Sequence, residues 1–358
     1  MNEQLRIFGG PGRYIQGAGA LLSFGEVVSG ISSTCFIVGD ALVLDLYEDE
    51  IRRSSAEAGV SVMFGAFGGE CTYAEIERMS LLAKGAGVVV GLGGGKAIDT
   101  AKGVSLAFGL PIVIVPTIAS NDSPTSRLVV VYDDNHHIVG VDRMTRNPDV
   151  VLVDSDIIAK APARFLVSGI GDAITKKFEA ELCARSNGLN FYGGRQTAMA
   201  LALSEFCYQQ IREHSLEALN SVNQARVTSA LDAVIEAAIL QSGLGFENGG
   251  LAIAHGLNRG IAQQKDAQNA LHGEMVAWGL LVQLVADQHD DEVIEDMRVF
   301  YRSVGLPVNL ADIGFSNITR DVIEEIANTT WRDAPYVRII DGLSAQRLAT
   351  AIRVLEDA

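Results

Sequence analysis

The chain has 358 residues, of which 48% are hydrophobic and 20% charged, and its formal net charge is −16. This composition excludes a wholly disordered chain and leaves enough apolar material for two domains or one large one. The negative charge, without any cluster of Lys and Arg, argues against partners such as nucleic acid or an anionic membrane. Apolar runs such as Leu110 to Val115 are far shorter than the roughly 20 residues that span a bilayer.

The beginning of the sequence and its cysteines both indicate a cytoplasmic protein. Met1 to Gln4 lacks a basic region followed by an apolar one, so we expect no signal peptide. The four cysteines are widely spaced and form no CxxC motif; they are Cys35, Cys71, Cys183 and Cys207. Because a chain of this length does not need disulfides, we expect free thiols in a reducing compartment.

Short β-branched runs alternate with helical patterns over the first 160 residues. We expect strands at 34–38, 61–64, 88–90, 111–115, 128–132 and 150–153, and helices at 73–84 and 98–108, the second ending at Gly109. This alternation predicts a parallel sheet covered by helices on both faces.

The pattern changes after about residue 160, where strand-like runs disappear. Ala, Leu, Glu and Gln dominate, and helices are expected at 197–211, 229–240, 287–304 and 344–355. The sequence therefore predicts an α/β domain at 1–161 and an all-α domain at 162–358.

A glycine cluster, Gly91 to Lys96, follows an expected strand and precedes an expected helix. Glycines there allow a ligand to approach the backbone, and the helix N-terminus favours an anion such as a pyrophosphate. The cluster does not fit GxGxxG, which needs glycine at 96, or the P-loop, which needs glycine at 90 and Ser or Thr at 97. A tight strand-to-helix turn is the structural alternative.

Two further polar sites follow expected strands, where open α/β sheets bind ligands. Asp40 ends the first strand, where a carboxylate can accept hydrogen bonds from ribose hydroxyls and repel a 2′-phosphate. Taken alone, Asp40 fits a helix N-cap or a turn residue better. The segment 116–126 is rich in hydroxyl and carboxyl groups, although such loops are also common as plain turns.

Three residues of the helical half form a candidate metal site. His255 and His272 both lie in apolar, glycine-rich segments, where an imidazole needs a partner. Asp172 lies in the segment Gly169 to Asp172, which we expect to open a helix, and its structural alternative is to be the N-cap of that helix. An Asp, His, His set would give zinc three ligands and an open fourth position. Each histidine taken singly could instead be a core residue with satisfied hydrogen bonds.

Eight segments together resemble the glycerol dehydrogenase branch of the metal-dependent, or iron-containing, alcohol dehydrogenases. They are PGRYIQGAGAL at 11–21, VGD at 38–40, AFGGEC at 66–71, GLGGGKAIDTAK at 91–102, PTIASNDSPTS at 116–126, APARFLVSGIGDA at 161–173, GFENGGLAIAHG at 245–256 and LHGEMVAWG at 271–279. Their order and spacing span nearly the whole chain. The resemblance implies a dehydroquinate synthase-like fold, with an α/β dinucleotide-binding domain followed by a helical domain.

The resemblance also implies the residues of the site. Asp172, His255 and His272 match the family's metal ligands, for Zn2+ or alternatively Fe2+, and Asp122 matches the acid near a substrate hydroxyl. The positions that match the NAD site are Asp40, Gly94, Gly95, Lys96, Thr117, Ser120, Ser126, Leu128 and Tyr132. The implied reaction is NAD-dependent oxidation of glycerol or a related small polyol to the hydroxyketone, by a homo-oligomer such as an octamer.

Three alternatives remain open at the level of sequence. A sister branch oxidises 2-hydroxy acids, although the carboxylate of Asp122 would repel such a substrate. A dehydroquinate synthase-like lyase needs basic residues for phosphate, and Arg127 and Lys176–Lys177 keep it open. A non-catalytic NAD-binding protein would not require all three metal-ligand types.

Overall fold

The computed structural model describes residues 4–134 and 136–357. The chain forms two compact units. The α/β unit contains Gly10–Pro162 and Asn220–Leu240, and the helical unit contains Met1–Gly9, Ala163–Leu219 and Gln241–Ala358. Most of the predicted α/β domain lies in the α/β unit, and most of the predicted all-α domain lies in the helical unit. The domain limits 1–161 and 162–358 stay a prediction.

Eight strands lie in the described part of the α/β unit. They are β1 (Arg13–Gly17), β2 (Thr34–Asp40), β3 (Ser61–Phe67), β4 (Val88–Gly93), β5 (Ile112–Pro116), β6 (Leu128–Tyr132), β7 (Ile138–Arg143) and β8 (Val150–Asp154). Six of them form a sheet in the order β1-β8-β5-β4-β2-β3, and every neighbouring pair is parallel. The predicted parallel sheet is confirmed. Every residue of β4, β5 and β8 is buried, as expected for strands covered on both faces.

The helices follow the strands and then fill the rest of the chain. They are α1 (Phe24–Ser29), α2 (Ala41–Glu57), α3 (Tyr73–Leu82), α4 (Gly95–Phe108), α5 (Ser155–Ala159), α6 (Ala163–Ala173), α7 (Lys176–Arg185), α8 (Ala198–Asn223), α9 (Ser229–Glu236), α10 (Ser242–Gly249), α11 (Ile253–Ile261), α12 (His272–Ala286), α13 (Asp291–Val304), α14 (Leu310–Ile313), α15 (Arg320–Asp333) and α16 (Ala345–Glu356). A π-helical turn, Ala237–Gln241, lies between α9 and α10.

One strand is placed differently from the prediction. The run 128–132 is a strand, but its assignment to the parallel sheet is wrong. It pairs antiparallel with β7, with Leu128 opposite Arg143. Periodicity fixes that a segment is extended but not its partner. The sequence analysis also missed β1, whose RYIQG carries few of the β-branched residues that marked the other strands.

The strand order places Asp40 and the glycine cluster side by side. The chain passes from β2 outward to β3 and then returns to the opposite side of β2 with β4 and β5. In the register of β2 and β4, Gly39 lies opposite Leu92, so the next residues, Asp40 and Gly93, end neighbouring strands. A reversal of strand order at the carboxyl edge is where open α/β sheets bind ligands.

The helical unit is built around α12, which packs against α6, α11 and α16. Trp278 and Leu280 on α12 are fully buried. Among the described residues, one helical run, Ser229–Gly249, is long and apolar enough to cross a bilayer by length and composition, and 67% of its apolar window is buried within the protein. That burial indicates a core segment. All four cysteines are buried free thiols, as predicted.

A buried lysine ties the polar loop that follows β5 to α4. Lys102 Nζ donates to Asp99 Oδ1 at 3.0 Å, to the carbonyl of Ser123 at 2.7 Å and to the carbonyl of Leu128 at 2.9 Å. The lysine side chain has no exposed surface. Because a buried charge must be paired, this network fixes the loop 116–126 against the first turns of α4.

Replacement of Lys102 by Met tests this network. Lys102→Met removes the cation and leaves the carboxylate of Asp99 buried without it, so we expect a loss of about 3–5 kcal/mol in the free energy of unfolding. The measurement is urea unfolding of the variant beside Lys84→Met, the same substitution at an exposed position. Equal unfolding midpoints for the two variants would contradict the assigned role.

Candidate metal centre and dinucleotide site

The helical unit brings together the three residues predicted to bind metal. Asp172, His255 and His272 each offer one ligand atom, and these atoms lie within 4.8 Å of one another. Asp172 Oδ1 is 3.2 Å from His255 Nε2 and 3.8 Å from His272 Nε2. One carboxylate and two imidazoles in this arrangement fit a zinc or iron ion with an open coordination position.

Local backbone packing explains how the ligands meet. The structural alternative in which Asp172 is only an N-cap is wrong, because Asp172 lies in the last turn of α6, with Thr175 Oγ1 donating to its carbonyl at 2.8 Å. His272 is the first residue of α12, and Gly273 follows it. A Cβ on Gly273 would lie 1.7 Å from the carbonyl oxygen of Ser168, so only glycine lets α12 approach α6 this closely.

Glu179, on α7, orients His255. Its Oε2 lies 2.5 Å from His255 Nδ1, and its Oε1 accepts from the backbone N–H groups of Ala252 and His255 at 2.9 and 3.0 Å. The bond to Nδ1 assigns the proton to that nitrogen and leaves the lone pair on Nε2, where a metal would bind. Glu179 is fully buried.

Two atoms without hydrogen-bond partners test whether the cluster fits a metal. Asp172 Oδ2 is buried and has no partner among the described residues, as expected of a metal-binding oxygen. Asn258 Nδ2 lies 3.3 Å from His272 Nδ1, while the buried Oδ1 of the same amide has no partner within the described part of the chain. Turning this amide by 180° lets Oδ1 accept from Nδ1–H and leaves His272 Nε2 free to bind metal.

The electrostatics of the cluster keep its carboxylates ionised. Burial alone raises the pKa of Asp172, but Lys176 and the two imidazoles lower it well below its usual range. Burial similarly opposes ionisation of Glu179, and His255 and Lys176 lower its pKa. Burial lowers the pKa of His255, but Glu179 and Asp172 outweigh it and raise that pKa to about 8. Burial lowers the pKa of His272 to about 4 despite the attraction of Asp172.

In the α/β unit, the glycine cluster forms the turn into α4. Gly93 has a φ of 141°, a conformation that favours glycine, and Gly94 is the N-cap, with no side chain bonded to the helix end. The first-turn N–H groups are therefore not capped by a side chain of the N-cap residue. Backbone N–H groups and the positive end of the helix suit a pyrophosphate.

Two of the other predicted cofactor residues have partners of their own at this edge. Asp40 is the N-cap of α2, where its carboxylate accepts from Leu42 N–H at 2.9 Å, as the structural alternative allowed. Lys96 Nζ lies 2.6 Å from Glu70 Oε2 and 5.3 Å from the ring centroid of Tyr132. The backbone N–H of Tyr132 also donates to the carbonyl of Cys71.

The loop after β5 carries the remaining predicted residues. Thr117 N–H donates to the carbonyl of Gly93 at 3.1 Å, which joins the loop to the glycine turn. Asp122 is buried and precedes a short 3₁₀ helix, Ser123–Thr125, but its carboxylate does not cap that helix. Ser120 lies in the same loop, and the hydroxyl of Ser126 accepts from Lys102 Nζ at 3.3 Å. The structure thus groups these residues, with Leu128, at one edge of the sheet.

Comparison with known proteins gives the family to which the chain belongs. Residues 11–155 match the family model described as iron-containing alcohol dehydrogenase. The chain is 42% identical over 338 residues to a glycolaldehyde reductase of Halobacterium salinarum, covering 92% of this chain and 93% of that protein. It is 43% identical to a glycerol dehydrogenase of Escherichia coli O6:H1, covering 86% and 84%.

The chain belongs to the iron-containing alcohol dehydrogenase family. Its fold matches the crystal structure of a probable glycerol dehydrogenase from Sinorhizobium meliloti 1021 with a TM-score of 0.93 and 36% identity, over 99% of this chain and 98% of that one. The predicted resemblance and fold are confirmed, and the protein is an oxidoreductase of this family.

Sequence reasoning missed the role of Glu179 and considered Lys176 only as a phosphate ligand. Asp172, Lys176 and Glu179 stand at i, i+4 and i+7, the spacing of one helical face. That spacing could have indicated that Lys176 and Glu179 lie on the same helical face as the candidate metal ligand Asp172. Glu70 carried no such signal, because only the fold brings it to Lys96.

Removing the charge of Glu179 tests its role in orienting His255. Glu179→Gln weakens the hold on His255 Nδ1–H, and a change at a carboxylate behind a metal ligand typically costs about 10–100-fold in metal affinity. We expect a loss of that size in Zn2+ affinity, measured by competition with a chromogenic chelator. Glu181→Gln, at an exposed position on the same helix, is the matched control. Equal affinities for the two variants would contradict the assignment.

Proposed function

We propose that the protein catalyses reversible NAD-dependent oxidation of glycerol or a related vicinal diol, assisted by a divalent metal. The observation that carries this proposal is the meeting of Asp172, His255 and His272 in an oxidoreductase of this family. Zinc is our first candidate for the ion and ferrous iron the alternative. We also propose that the enzyme is a homo-oligomer, for example an octamer, and that it is cytoplasmic.

The residues of the helical unit have separate roles in this proposal. Asp172, His255 and His272 would bind the ion, and Glu179 would hold His255 with Nε2 directed at it. A divalent ion bound there supplies Lewis-acid polarisation of the substrate oxygen. Burial of Asp172 keeps competing water away from the charged ligand set.

The residues of the α/β unit would bind the nucleotide. Gly94, Gly95 and Lys96 would present the N-terminus of α4 to the pyrophosphate, and Asp40 would accept from the adenosine ribose. Thr117, Ser120, Ser126, Leu128 and Tyr132 would provide the other cofactor contacts. The bound nicotinamide supplies the hydride acceptor, and the protein aligns it with the substrate.

The substrate class follows from Asp122 and from the names of the relatives. Glycerol and glycolaldehyde, which the names of these relatives contain, both carry a hydroxyl group on the carbon adjacent to the one that reacts. The carboxylate of Asp122 suits a second substrate hydroxyl and repels the carboxylate of a 2-hydroxy acid. Lys176, considered above as a phosphate ligand, is fully buried and paired with Asp172, which argues against the phosphate-binding lyase.

The proposed reaction is tested by NADH formation from glycerol. We expect glycerol to reduce NAD with wild-type protein that contains zinc, and removal of the ion by a chelator to abolish nearly all turnover until zinc is restored. His272→Ala is expected to lose bound metal and turnover while it stays folded by circular dichroism. Full activity of metal-free protein would contradict the proposal.

The role of Asp122 is tested by comparing two substrates. A hydrogen bond to a charged group contributes about 1.5–3 kcal/mol, which is roughly a ten- to 150-fold change in kcat/KM. We expect Asp122→Ala to lose this factor with 1,2-propanediol and to change little with 2-propanol, which has no second hydroxyl. Equal proportional losses with both substrates would give Asp122 a structural role instead.

A further inference from the structure

Lys176 lies beside the proposed metal ligands, and the proposed function gives it no role. Its Nζ lies 2.6 Å from Asp172 Oδ1 and 3.0 Å from His255 Nε2, and its side chain has no exposed surface. Nε2 of His255 would bind the ion, and Oδ1 belongs to the carboxylate that would bind it and whose other oxygen, Oδ2, has no partner among the described residues. The lysine is therefore placed against the ligand set itself.

An ammonium group and a metal ion cannot share the lone pair of His255. The Nδ1 side of this imidazole faces Glu179, so in the neutral imidazole, which is the form that binds metal, Nε2 carries the one remaining lone pair. That lone pair either accepts a hydrogen bond from Lys176 or binds the ion. The ammonium group also holds the carboxylate of Asp172 through Oδ1.

The charge balance of the cluster also indicates that the ion and the ammonium group of Lys176 exclude each other. Asp172 and Glu179 are the two fully buried carboxylates of the cluster, and together they match the charge of one divalent ion. With the ammonium of Lys176 in place, an ion would leave the buried cluster with an excess positive charge. The ion is therefore favoured most when the ammonium has moved away.

We propose that Lys176 is an internal cation that competes with the divalent ion for Asp172 and His255. The inference rests on the proposed metal centre, since it takes these residues to be ligands of the ion. The ammonium group and the ion then bind alternately, and the competition weakens the affinity of the centre for metal.

The test is the Zn2+ dissociation constant of Lys176→Met, measured by competition with a chromogenic chelator. Met keeps most of the length of the buried stem and removes the charge. We expect zinc to bind at least about tenfold more tightly to this variant than to wild type, which corresponds to ~1.4 kcal/mol. Since a tighter ligand stabilises the folded state more, saturating zinc should raise the melting temperature of the variant by more than that of wild type.

A second variant and a matched control complete the design. Lys176→Gln also lacks the charge but can still donate a hydrogen bond to Asp172, so it provides the measurement if Lys176→Met does not fold. Lys177→Met is the same substitution at the next residue, whose ammonium pairs with Glu205 at 2.8 Å outside the cluster. Its zinc affinity should equal that of wild type.

The outcomes separate this inference from the function on which it rests. Zinc binding of equal or lower strength in both Lys176 variants overturns the inference while leaving the metal centre in place. If neither wild type nor any variant binds zinc, the metal centre and the inference fail together. An increase in zinc affinity as large in Lys177→Met as in Lys176→Met also overturns the inference. The increase would then come from the loss of any positive charge and not from the position of Lys176.

Discussion

Two carboxylates buried in the helical unit set the constraint on which its centre depends. Asp172 and Glu179 have no exposed surface, and a charge removed from water is costly unless cations or hydrogen bonds compensate it. Here the compensation comes from His255, from the ammonium of Lys176 and from the backbone N–H groups at the start of α11. The helices that carry these groups must meet at this point, whether the cation is lysine or a metal.

In both units, packing places the candidate functional residues beside one another. In the helical unit, Gly273 lets two backbones touch, and that contact sets His272 beside Asp172. In the α/β unit, the reversal of strand order sets Asp40 beside the glycine turn, and the buried ammonium of Lys102 holds the loop after β5 against α4. Each group of candidate residues is thus held by a packing or charge constraint outside the group.

Sequence patterns could predict the secondary-structure elements that depend on neighbouring residues and the sites that carry a specific motif. The buried strands at Val88 and Ile112 and the glycine turn before α4 follow from composition and spacing. The spacing of Asp172 and Glu179 indicates one helical face, but the meeting of Glu179 with His255 and of Lys96 with Glu70 depends on the fold. The partner of β6 was predicted wrongly for the same reason, since periodicity does not specify pairing.

The central claim, that Asp172, His255 and His272 form a metal centre, is tested most directly by X-ray absorption of the zinc-loaded wild-type protein. The account predicts one ion per chain with nitrogen and oxygen neighbours at about 2.0–2.2 Å, including the scattering of two imidazole rings. A sulfur neighbour at about 2.3 Å would assign the ion to cysteine and contradict the account. Zinc bound without imidazole scattering would contradict it equally.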